Sequence, residues 1–137
     1  MNKDIENELT TIVTADAAVN NVIKNRMYPL VVPPKKPRPF IAYARLRTER
    51  ERTHGGYGKY TKVDIRLTCW SRSYDDAKAL AKLVSAAIDN AGHETWGTLS
   101  IGHCFVIDEA DELNPSPGLI ELQLIGRNLD IEIAYEE

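Results

Sequence analysis

The chain has 137 residues, 43% apolar and 27% charged, which is the balance of one soluble globular domain and excludes a disordered segment or two ordinary domains. No run approaches the roughly 20 apolar residues of a membrane span, and Met1-Asn2-Lys3-Asp4-Ile5-Glu6 lacks the basic-then-apolar pattern of an export signal. A formal charge of -3 argues against broad nucleic-acid binding, and two cysteines are too few for a disulfide framework, so Cys69 and Cys104 read as buried thiols.

The segment from Asp4 to Lys24 reads as helix, with Ile5, Leu9, Ile12 and Val13 forming one apolar stripe. Asp16 is placed to cap a second short helix carrying Val19, Val22 and Ile23. Arg26-Met27-Tyr28-Pro29 leaves the helix, and residues 29–39 hold Pro29, Pro33, Pro34, Pro37 and Pro39. So many missing backbone donors predict an extended connector over 29–39, neither helix nor central strand.

A first strand is expected from about Phe40 to Arg47 and a second from Tyr60 to Trp70. The second alternates cleanly, with Val63, Ile65, Leu67 and Cys69 on one side and Lys62, Asp64, Arg66 and Thr68 on the other. Between them, residues 47–59 form a projecting arm containing Arg47, Glu49, Arg50, Glu51, Arg52, His54 and Lys59. Hairpin connections usually take two to five residues, and ordering a longer one costs roughly 1–2 kcal/mol per residue of backbone entropy. A partner surface would offset that cost.

Ser73 with Asp76 three residues on reads as a helix start, and Gly92 as its C′ residue. Between them Ala77, Leu80, Ala81, Val84, Ala87, Ile88 and Ala91 make a stripe able to lie close on a sheet. A third strand is expected over about Thr98 to Ile107, then a turn or loop at Asp108, Glu109, Asp111 and Glu112. In the last run, Leu119 to Tyr135, the apolar positions change parity, which predicts a β-bulge near Ile125-Gly126. The order is α-β-β-α-β-β within a single domain.

Catalytic and metal chemistry find little support. His54, His93 and His103 stand at no metal-ligand spacing with one another or with a cysteine. Asp75-Asp76 opens a helix, where carboxylates suit the positive dipole end without catalysis. Gly55-Gly56-Tyr57-Gly58 lacks the Gly-Lys-Ser/Thr of a phosphate loop. No enzyme, cofactor or metal site is expected. The charges are unevenly spread: Arg45, Arg47, Arg50, Arg52, Lys59 and Lys62 gather in one region, and Asp108, Glu109, Asp111 and Glu112 in another. Such patches are either solvated surface or a complementary pair, one per neighbour in a head-to-tail ring.

Arg26-Met27-Tyr28-Pro29, Pro37-Arg38-Pro39-Phe40-Ile41-Ala42-Tyr43, Val63-Asp64-Ile65-Arg66-Leu67-Thr68-Cys69-Trp70-Ser71 and Tyr74-Asp75-Asp76-Ala77-Lys78-Ala79-Leu80 occur in this order around the charged arm. Together they resemble the tail-completion, or head–tail joining, family of long-tailed bacteriophages and prophages. The resemblance implies an α+β subunit: an antiparallel sheet of about four strands, two main helices packed on it and a long arm between the first two strands. It also implies a tail-terminator-like, hexameric homo-oligomer in the virion neck, assembled in the host cytoplasm. Its neighbours would be the tail tube protein and the head connector proteins, with DNA passing through the lumen unbound. The alternative reading is a small nucleic-acid-binding module with the arm's Arg47, Arg50, Arg52 and Lys59 on phosphate.

Overall fold

A computed structural model describes residues 5–29, 39–53, 56–91, 95–97, 99–114 and 124–136. Three helices, α1 (Ile5–Ala15), α2 (Ala17–Ile23) and α3 (Tyr74–Ala91), accompany six strands. These are β1 (Met27–Pro29), β2 (Phe40–Thr53), β3 (Gly56–Ser71), β4 (Thr95–Trp96), β5 (Leu99–Asn114) and β6 (Leu124–Glu136).

The α1 stripe Ile5, Leu9 and Val13 is fully buried, while Thr10 and Thr14 turn their hydroxyls back to the carbonyls of Glu6 and Thr10. Asp16 separates the helices as expected: its backbone is extended and its carboxylate accepts from the Val19 amide at 3.1 Å. α2 ends on Lys24 and Asn25, both left-handed, with the Asn20 side chain accepting from the Asn25 amide at 2.7 Å. That reversal sends the chain into β1. The Arg26 guanidinium donates to the Pro39 carbonyl at 3.0 Å, joining the two flanks of the proline-rich segment. Pro29 ends β1, and the connector's residues 30–38 lie outside the described residues.

The sheet runs β1-β2-β3-β6-β5-β4 and curls into a half-barrel. This corrects the expected four-stranded antiparallel sheet with two helices. β1 pairs in parallel with Ile41–Tyr43 of β2, making the sheet mixed, and the two-residue β4 adds an edge against Leu99 and Ser100. Strands this short carry no periodicity of their own; tertiary neighbours place them. β2, β3, β6 and β5 are the long central strands, each antiparallel to the next.

Two further expectations are corrected. The acidic residues 108–112 are not a turn but the continuation of β5, paired in register with β6 from Asp108↔Asp130 to Glu112↔Gly126. No bulge occurs at Ile125-Gly126: β3 and β6 pair without interruption from Thr61↔Tyr135 to Ser71↔Ile125. Extra residues sit instead at Leu46 in β2 and at Gly102 and Ile107 in β5, and the β2–β3 register shifts again between Arg50 and Arg52, where β3 carries the longer stretch. Gly126 is required for a different reason, since a Cβ there would stand 2.9 Å from the Trp70 ring.

α3 lies across β3, β6 and β5, and α1 and α2 pack against it, so the helices share one face. Its start is held by the Ser73 hydroxyl accepting from the Asp76 amide at 3.2 Å, and the Ala77, Leu80, Ala81, Val84, Ala87 and Ile88 stripe is buried. Gly92 lies outside the described residues. The core joins that stripe to Val63, Ile65 and Leu67 of β3 and Leu129, Ile131 and Ile133 of β6. Trp96 is buried at the end of α3, its indole N–H donating to the Ala91 carbonyl at 3.0 Å. Cys69 and Cys104 face this core; burial, aided by Glu109 and Asp89 respectively, pushes both thiols up to about 12.

Candidate functional site

The helix-free face of the sheet is polar and internally paired. Arg66 grips Asp130 with two parallel hydrogen bonds, Nε to Oδ1 at 2.8 Å and Nη2 to Oδ2 at 3.1 Å. Thr68 donates to Asn128 Oδ1 at 2.7 Å, and both residues are buried. His103 Nε2 lies 2.9 Å from Glu132 Oε2, with its ring stacked on Phe105 at 4.7 Å between centroids. Arg47, Glu49, Lys62, Asp64 and Glu132 line a shallow charged depression on the same face. These are cross-strand neighbours of opposite or complementary character, the pairing that stabilises antiparallel sheets.

The buried thiols face the helices, away from His103. Among the described residues no group of three or more His, Cys, Asp or Glu is arranged to hold a metal ion.

The expected arm is strand wherever it is described. Residues 47–53 continue β2 and residues 56–59 continue β3, pairing from Arg47↔Asp64 to Thr53↔Gly56. Before Thr61 the partner of β3 among the described residues is β2 alone, so the pair leaves the sheet as a two-stranded ribbon. Arg50, Glu51, Arg52 and Lys59 take their places on this ribbon by backbone, and His54 lies outside the described residues. Arg47 is exposed, its Nη2 3.2 Å from Glu49 Oε2. Arg45, on the other face, bridges to Glu6 and ties β2 to α1. Arg45, Arg47, Arg66 and Arg127 each have a carboxylate beside them.

The acidic group and the basic group do not meet within one chain; they occupy opposite ends of the central sheet. Asp108, Glu109, Asp111 and Glu112 lie on β5, while Arg47, Glu49, Arg50, Glu51 and Arg52 lie on β2. The acidic group is also partly neutralised by a residue that the sequence reading missed. Arg127 of β6 reaches under β5, with Nη1 3.3 Å from Glu109 Oε2 and Nε 2.8 Å from Asp111 Oδ1. The Nε approach is a charge contact without hydrogen-bond alignment. Its Nη2 donates to the Tyr74 hydroxyl at 2.8 Å, and the guanidinium carbon lies 5.4 Å from that ring's centre. The signal was its parity, since Arg127 shares the odd-numbered side of β6 with Leu129, Ile131 and Ile133. An arginine on a dry face needs an anion.

Among the described residues both outer long strands keep an open flank. Among the described residues, β4 covers only Leu99 and Ser100 of β5, and β1 covers only Ile41 to Tyr43 of β2. Each open flank carries an exposed apolar residue at a bulge: Leu46 on β2 and Ile107 on β5, each 47% exposed.

Comparison with known proteins bears on this arrangement. A search of curated proteins finds no match. The fold matches a chain in the structure described as "Virion of native gene transfer agent (GTA) particle", with a TM-score of 0.69 and 14% sequence identity, over 94% of this chain and 92% of that one. At that identity the likeness is one of fold. The model of the tail completion protein gp17 family matches residues 7–123. The chain therefore belongs to the tail completion protein gp17 family, a family of structural phage tail proteins.

Proposed function

We propose that the protein is a ring-forming tail-completion subunit at the neck of a long-tailed phage or prophage particle. The observation that carries this reading is the family match over residues 7–123. In this role copies of the chain form a hexameric ring that ends the tail tube and receives the head connector, with DNA passing through the lumen. The net charge of -3 and the internally paired polar face suit a channel to which DNA must not adhere. The ribbon of β2 and β3 reaches toward the adjoining ring or a neighbouring copy. No cofactor takes part, and assembly occurs in the host cytoplasm before the protein becomes part of the virion.

Electron microscopy of lysates from a deletion strain tests the role. Tails that fail to join heads, restored by the gene in trans, are the expected result; normal virions lacking the protein refute it. Light scattering on purified necks reports the number of copies in the ring.

A further inference from the structure

We infer that neighbouring copies join edge to edge, the open flank of β5 in one chain pairing antiparallel with the open flank of β2 in the next. This deepens the ring reading above and rests on it. Three features support the pairing.

The first is direction. β2, β3, β6 and β5 alternate, so a copy rotated about an axis along the strands presents its β2 to β5 in the antiparallel sense. The alternation then continues unbroken from chain to chain. The second is level. Arg47 aligns across the sheet with Asp64, Glu132 and Phe105, and Arg45 with Ile65, Ile131 and Val106. Leu46 and Ile107, the exposed apolar residues at the two bulges, thus stand within about a residue of the same height on opposite edges. Copies set side by side bring these two side chains together.

The third is charge. On the helix-free face β5 offers exposed Asp108 and β2 offers exposed Arg47 two positions along, a diagonal that long side chains span. Pairing β5 with another β5 sets acid against acid, and bulges with charged flanks are the usual protection against indiscriminate strand addition. The complementary edge removes that repulsion. Two different surfaces meeting head to tail generate a ring when the rotation closes.

The test uses Leu46→Cys, Ile107→Cys and the double variant in the full-length chain, each supplied in trans to a deletion strain. Purified particles are treated with a short bismaleimide and run on a denaturing gel. The native thiols are buried, and the wild-type chain controls for their reaction. The double variant gives a ladder extending beyond the dimer, and each single variant gives monomer. Dimers from a single variant at the yield of the double variant establish like-with-like pairing and overturn the proposal. Particles that show the ring by microscopy but give no ladder overturn the edge contact and leave the ring standing. Particles without the protein remove the ring reading, and the edge contact with it. The charge pair supplies a second readout: Arg47→Glu lowers incorporation into particles at least tenfold, and adding Asp108→Arg restores it. Failure of that rescue, with both variants folded by circular dichroism, also counts against the pairing.

Discussion

Arg127→Met isolates the role of the cation beneath the acidic half of β5. Methionine keeps most of the stem's apolar contact and removes the guanidinium. The hydrogen bond to Tyr74 comes from a charged donor to the hydroxyl of a half-exposed tyrosine, so about 1.5 kcal/mol is appropriate. The side chains of Glu109 and Asp111 are 44% and 56% exposed, and each pairing contributes at most about 1 kcal/mol after screening. Because these contacts share one group they do not add in full, and a net loss of about 2 kcal/mol is expected. For a domain of this size that lowers Tm by about 6–10 °C. Thermal and urea melts followed by circular dichroism measure it. The same substitution made in a Glu109→Gln, Asp111→Asn background is expected to cost less than about 1 kcal/mol. High salt should narrow the wild-type-to-variant gap, since it screens the repulsion left behind. A neutral Arg127→Met, or an equal loss in both backgrounds, refutes the view that this arginine acts through its charge.

Ile131→Ala opens a void where β6 meets Ile65 and Val106, and is expected to cost about 2–5 kcal/mol in a urea melt. Gly126→Ala presses a methyl group against Trp70 and is expected to cost about 1–3 kcal/mol, with a change in tryptophan emission marking the displaced ring. The thiols make stability depend on alkaline pH. The unfolded thiols ionise near 9.0 and the folded ones only near about 12, so the folded state holds more protons in that interval and stability falls as pH rises through it. Urea midpoints between pH 8 and 10.5 check this. In a Cys69→Ala, Cys104→Ala variant that part of the slope disappears. At pH 8 a thiol reagent is expected to label the native protein far more slowly than the unfolded one.

The helices were legible because their faces are written locally: Ile5, Leu9 and Val13 repeat at helical spacing, and Asp16 and Ser73 announce the starts of α2 and α3. β3 was legible for the same reason, its alternation matching its burial from Val63 to Leu67. β1 and β4 were not, because two or three residues hold no period and only the neighbouring strand defines them. The acidic half of β5 reads as a turn because Asp and Glu disfavour strands. What overrides that preference is Arg127, distant in sequence, together with the whole length of β6. The parity change in β6 misled for a related reason: Gly126 and Asn128 on one side are buried along with Leu129 and Ile131 on the other. Near this end of β6 burial follows both parities, so apolar parity no longer marks a single dry side. The charges of the candidate surface were visible from the start. Their placement on opposite flanks of one sheet depends on strand order, which no local pattern encodes.

The two tryptophans stand on opposite sides of the sheet. Trp96 is sealed at the foot of α3 with its indole N–H satisfied, whereas Trp70 is partly open beside Gly126 on the helix-free side. Nature has thereby supplied two native optical gauges with separate sensitivities. A small quencher such as acrylamide reads Trp70 while the domain is intact, and the blue-shifted emission of Trp96 persists until the helical layer melts. Trp70→Phe and Trp96→Phe proteins allow docking at the open side to be timed in one fluorescence channel and unfolding in the other.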